Sequence, residues 1–189
     1  LHDALPIYPG AQSKALGQLH AGIDRASRLV DQLLTLSRLD SLDNLDDVEP
    51  VMMADLLQSA VLDIWHPAQQ AGIDIRLNVN APEVMRHGQP LLLSLLARNL
   101  LDNAVRYSPR GSVVDVTLHT QSFTVRDNGP GISSDALARL GERFYRPPGQ
   151  DATGSGLGLS IVKRIATLHG MSVSLGNAPE GGFEVTVSW

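Results

Sequence analysis

Apolar residues recur at a three-to-four spacing from residue 14 to residue 39. Leu16, Leu19, Ile23, Ala26, Val30 and Leu33 form a stripe of coiled-coil type, widened by Leu29, Leu34 and Leu36. This predicts one long helix. So long and apolar a helix is not stable alone in water. Its partner is either its own domain or another helix of a bundle or dimer, and Gly22 weakens it in both cases. Residues 40–50 are acidic and turn-rich, which predicts a linker and a domain boundary. Residues 53–71 carry Leu56, Leu57, Ala60, Val61 and Ile64 on one side, a second helix stopped by Gly72. Residues 73–79 alternate strictly and read as a strand. Helices follow at 89–106, at 133–140 with Ser133 as cap, and at 157–168. Strands follow at 113–119, 122–126, 171–176 and 183–187, the last two joined through Glu180, Gly181 and Gly182. Residues 145–155 are a loop rich in glycine and proline. The pattern predicts helices stacked on one face of a mixed sheet, a two-layer α/β sandwich preceded by one long helix.

Composition narrows the picture. With 189 residues, 43% hydrophobic and 19% charged, the chain supports a packed core. Aromatics make up only 4%, so that core is aliphatic. The formal net charge of −5, with 15 scattered basic residues, argues against a nucleic-acid surface. There is no cysteine, which excludes disulfides and thiolate metal sites and fits a reducing compartment. The run Leu91–Ala97 is too short to cross a bilayer, which takes roughly 20 residues. Leu1–Tyr8 has neither the basic start nor the apolar centre of a signal peptide and looks foreign to the rest of the chain. Residues 1–13 are therefore expected to lie outside the fold, 14–45 to form the long helix and its linker, and 46–189 to form the main domain.

Three motifs carry the chemistry. Asn99 and Asn103 stand four apart, so both amides share one face of the predicted helix. Their carbonyls are hard oxygen donors suited to Mg²⁺, which takes its other ligands from phosphates and water. On its own the pair has a second reading, a polar outer face or a helix cap. Arg106 and Tyr107 lie one turn further on, within reach of phosphates and ribose or simply at the surface. Asp127 ends a strand just before Asn128-Gly129-Pro130-Gly131. A carboxylate there accepts a hydrogen bond from an exocyclic amine such as that of adenine, and glycines let the backbone approach a ring. Alone, an Asn-Gly pair is a common turn. Gly154-Ser155-Gly156-Leu157-Gly158 opens a helix, whose exposed N–H groups favour anions. It is neither a Walker loop nor a convincing dinucleotide fingerprint. The Gly/Pro-rich stretch before it suits a mobile lid. Each motif is weak alone; the ordered trio, within about 60 residues, points to an ATP site.

With Glu142-Arg143-Phe144-Tyr145-Arg146 added, the series resembles the N, G1, F and G2 boxes of the sensor histidine kinases of two-component systems, in the family's order, over residues 14–189. The resemblance implies a Bergerat ATP-binding fold. It implies Mg²⁺ at Asn103, helped by Asn99, and the adenine amine at Asp127, with Gly129 and Gly131 shaping the base pocket. It puts Arg106, Tyr107 and Arg146 near ribose or phosphates. Gly154, Ser155, Gly156, Leu157 and Gly158 would form the lid hinge and the phosphate-facing turn. Residue 106 is Arg where the family more often has Lys, which keeps the charge but not the geometry. The implied partners are the receiver domain of a response regulator and, in the full-length protein, a second copy in a homodimer. Membrane attachment would come only through segments N-terminal to these, the chain being the cytoplasmic portion of an inner-membrane sensor.

The family also needs a phosphoacceptor histidine on the first of two bundle helices. His2-Asp3-Ala4-Leu5-Pro6 matches its surroundings poorly and stands too close to the helix at 14–39, which corresponds to the second. His20, His66, His87, His119 and His169 lack acceptor context, and His169-Gly170 reads as a helix end. The chain is thus expected to bind Mg·ATP without completing phosphorylation of itself. Two other readings stay open: an ATPase like those of gyrase, Hsp90 and MutL, and a docking module that holds nucleotide inertly. The ATPases carry a glutamate where Asn99 stands, as base for the attacking water, and an amide is no base at neutral pH.

Overall fold

In the computed structural model, residues 9–147 and 154–189 are described. Helix α1 (Pro9–Asp40) leads into strand β1 (Glu49–Met52) and helix α2 (Met53–Ala71). Strands β2 (Asp74–Val79) and β3 (Met85–Gly88) precede helix α3 (Pro90–Tyr107). Strands β4 (Val113–Leu118) and β5 (Ser122–Asp127), the short helix α4 (Ser134–Arg139), helix α5 (Gly158–Leu168) and strands β6 (Ser172–Asn177) and β7 (Phe183–Ser188) complete the chain. Five strands form one sheet in the order β2-β4-β5-β7-β6. Only β2 and β4 run parallel; the other neighbours are antiparallel.

The sheet buries one face. Val114, Val116, Leu118, Phe123, Val125, Val185 and Val187 are buried and alternate with half-exposed residues such as Asp115, Thr117, Thr124 and Arg126. The buried set meets α2, α3 and α5 through Leu57, Ile64, Leu96, Leu100, Leu101, Ile161 and Ile165 in one aliphatic core. This is the two-layer sandwich expected from the hydrophobic pattern. Gly72 ends α2 in the left-handed conformation (φ 71°), and Ser133 caps α4 by accepting the Ala136 N–H.

Helix α1 starts at Pro9, so residues 9–13, expected outside the fold, belong to the helix, and two further features depart from expectation. A separate two-stranded ribbon pairs β1 with β3, Glu49 opposite Gly88 and Met52 opposite Met85. Its first strand begins inside the acidic stretch 40–50, of which only residues 41–48 lack a helix or strand. Both strands are four residues long and exist by pairing with each other, a non-local contact without a local signature. The second departure is in α1, whose two ends behave differently. Leu36 and Leu39 are buried in the domain core, whereas Leu16, Leu19, Ile23 and Val30 are more than half exposed. Packing on its own domain and an unpartnered apolar stripe thus coexist on one helix. Residues 1–8, with His2, lie outside the described residues, as does 148–153 of the expected loop.

Candidate functional site

A cleft of about 800 Å³ lies where α3, the end of β5, residues 140–147 and 154–156, and α5 meet, with α1 as its outer wall. Asn99, Asn103, Arg106, Tyr107, Asp127, Gly131, Arg146 and the Gly154–Gly158 turn face it, Leu157 apart.

Asp127 is the last residue of β5 and is 8% exposed. Its Oδ1 accepts the Gly129 N–H at 2.8 Å and the Phe183 N–H at 3.2 Å. Both bonds fall on Oδ1. The loop after it is pinned by Asn177 of β6, which accepts the Ile132 N–H at 2.8 Å and donates to the Ile132 carbonyl at 2.7 Å. Gly182 makes the closest approach, since a Cβ there would overlap the Asp127 carbonyl oxygen. The side chain of Asp127 is thus aimed by backbone from the turn that follows β5 and from β7.

The asparagine pair projects from α3 toward the start of α5. Asn99 donates its Nδ2 to the Leu95 carbonyl at 2.8 Å, which turns its Oδ1 outward. A Cβ built on Gly158 would stand 3.1 Å from Asn103 Nδ2, 3.2 Å from its Oδ1 and 3.4 Å from Asn99 Oδ1. Glycine there lets the first turn of α5 lie against both amides without displacing the side chain of Asn103. Those oxygens are neutral and hard, a donor set that fits Mg²⁺ in company with phosphate oxygens and not a soft metal. Tyr107 closes the same corner, its Oη being the atom that a Cβ at Gly154 would strike. Arg106 is held by Asp102 at 2.6 Å, one helical turn back. Leu157 is fully buried and anchors the turn in the core. Phe144 donates its N–H to the Gly156 carbonyl at 3.1 Å, which joins the segment 142–146 to the glycine turn.

Several contributors carry no mark in the sequence. Asn177 is one. Asp63, Ile64 and Pro67 of α2 line the cleft, Pro67 within the helix. Arg25, Arg28, Asp31 and Gln32 of α1 line it from the opposite side. These become neighbours of the site only through tertiary packing, which spacing along the chain does not express.

Residues 88–189 match the family model described as histidine kinase-, DNA gyrase B-, and HSP90-like ATPase, more than half of the chain. The chain belongs to that family. Within it, the relatives are sensor kinases. The sensor protein QseC of Salmonella typhimurium is 75% identical over 181 residues, which is 96% of this chain and 40% of that protein. The solved cytoplasmic segment of histidine kinase QseC is 62% identical, with a TM-score of 0.65, and the match covers 88% of this chain and 93% of that one. Full-length ShkA, solved in complex with AMPPNP, is 27% identical with a TM-score of 0.80 over 94% of this chain and 38% of that one. The wording of Ser108-Pro109, Arg143–Gly149 and Ala152–Gly156 in the sequence also resembles QseC. The chain is the ATP-binding catalytic part of a histidine kinase of QseC type, and it spans about 40% of the length of the curated relatives named QseC.

Proposed function

We propose that this chain binds Mg·ATP in the cleft and presents its γ-phosphate to a histidine of the parent kinase, from which it passes to an aspartate on the receiver domain of a response regulator. The observation that carries the reading is the buried Asp127 at one end of a cleft whose other end is formed by two amide oxygens and the start of a helix. The carboxylate would take the adenine amine, with Gly129 and Gly131 shaping the space for the ring. Asn103 and Asn99 would hold Mg²⁺, which when bound neutralises phosphate charge. Gly154, Ser155, Gly156 and Gly158 would bring backbone N–H groups to the phosphates, with Arg106, Tyr107 and Arg146 beside the ribose or phosphates. Phosphoryl transfer rests on positioning and charge stabilisation, so this domain needs no nucleophile of its own.

In this reading residues 14–45 are the second helix of the dimerisation bundle with its linker, and 46–189 are the catalytic domain. The parent would be a homodimeric inner-membrane sensor with these residues on the cytoplasmic side. No helix among the described residues is long and apolar enough to cross a membrane. Hydrolysis as the primary activity is disfavoured by Asn99, where the related ATPases carry a glutamate base. ATP turnover well above the spontaneous background would restore it. The exposed stripe on α1 favours one second reading, a docking module, which predicts partner binding that is independent of nucleotide.

Calorimetric titration with ATP, with and without Mg²⁺, tests the proposal. Binding should depend on Mg²⁺, and Asp127→Asn should weaken it by about 2 kcal/mol or more through loss of a charge-assisted hydrogen bond. Unchanged binding in Asp127→Asn would remove the pocket assignment.

A further inference from the structure

Ser155 has one hydroxyl and uses it twice. It donates to Gln32 Oε1 of α1, 123 residues away in sequence. It accepts the Leu157 N–H, two residues on, at 3.1 Å. A hydroxyl carries one proton. Given to Gln32, that proton fixes the rotamer and directs a lone pair at Leu157. The N–H groups at the start of a helix lack intrahelical partners and are the ones that phosphate oxygens take. Here one of them is already satisfied from within the chain.

Gln32 is held in place from the C-terminal end of its own helix. Leu36 and Leu39, one and two turns on, are buried in the domain core. Arg164 of α5 donates to the carbonyls of Leu39 at 3.1 Å and Leu42 at 2.7 Å. Asp40 meets Arg143 at 2.7 Å and Arg164 at 3.9 Å. The docking of α1 therefore determines whether Gln32 reaches Ser155.

We propose that Gln32 is a positioning residue which, acting through Ser155, keeps the start of α5 capped by the chain itself and so lowers nucleotide affinity while α1 is docked. This rests on the nucleotide reading of the cleft. Movement of α1 that withdraws Gln32 frees the hydroxyl of Ser155, which lines the cleft, to turn to a phosphate oxygen. Helix position and nucleotide affinity are then two sides of one equilibrium.

The test is calorimetric titration of the 189-residue chain with Mg·ATP, using wild type, Gln32→Leu, Ser155→Ala, the double variant and Asp127→Asn, with thermal unfolding to establish that each is folded. Gln32→Leu keeps the bulk and removes the acceptor; Gln32→Ala is its substitute should that variant fail to fold. The expected result is a threefold to tenfold lower Kd for Gln32→Leu, and no effect of the same substitution in the Ser155→Ala background, whatever Ser155→Ala does alone. An unchanged or higher Kd for Gln32→Leu overturns the proposal, as does an equal gain in both backgrounds. Asp127→Asn separates the two levels: if it binds as wild type does, the cleft assignment has failed, independently of Gln32.

Discussion

At the residue scale, the site depends on close backbone approach as much as on its charged group. Gly182 has φ of 90° and no room for a Cβ against the Asp127 carbonyl. Gly182→Ala should therefore separate β7 from the end of β5, costing about 1–3 kcal/mol for the backbone conformation alone. Urea unfolding would measure that loss, and ATP titration should show weaker binding, because Phe183, the next residue, donates one of the two N–H groups on Asp127. Asp127 was legible in the sequence since it stands among glycines at the end of an alternating strand. Asn99 and Asn103 were legible by their helical spacing. Asn177 and Gln32 were not, because each reaches its partner from a distant element: Asn177 sits 45 positions from Ile132, and Gln32 123 from Ser155.

At the element scale, α5 is tied to the start of α3 through His169. Its Nε2 accepts the Gln89 N–H at 3.1 Å, and its Nδ1 faces the Ile165 carbonyl at 2.8 Å. That arrangement requires a neutral ring with the proton on Nδ1. Burial lowers its pKa from the ordinary 6.5, opposed in part by the Ile165 bond. The unfolded chain then takes the proton first. This contribution to stability is complete above the ordinary value, falls as the pH drops through it, and stops falling below the folded pKa. Unfolding measured from pH 8 to pH 5 should show that loss in wild type and a smaller one in His169→Gln. The helices α2, α3 and α5 were readable because each repeats an apolar face over at least three turns. The β1–β3 ribbon was not, since four residues, one of them Pro50, contain no period and the pairing partner lies more than 30 positions away.

At the scale of the whole molecule, the hydrophobic pattern was sufficient for the sandwich and insufficient for the place of α1. One stripe serves two purposes, and only the packing of Leu36 and Leu39 shows where the first ends. The remaining stripe leaves Leu19 62% and Ile23 57% exposed, on a helix with no neighbour along that side among the described residues. Apolar surface of that extent favours association. Sedimentation should show a mass that rises with concentration, and Leu19→Glu with Ile23→Glu should hold the chain monomeric over the same range.

The strand order also has a consequence for synthesis. β7, near the end of the chain, sits between β5 and β6 and not at an edge. While the protein leaves the ribosome, β5 is an unpaired edge on that side, and Asp127 lacks the Phe183 N–H, which lies 56 residues later. At typical elongation rates that interval is about 3–11 s. The nascent chain must keep a strand edge unmated for that time, and the cleft beside Asp127 is completed only when β7 has been translated.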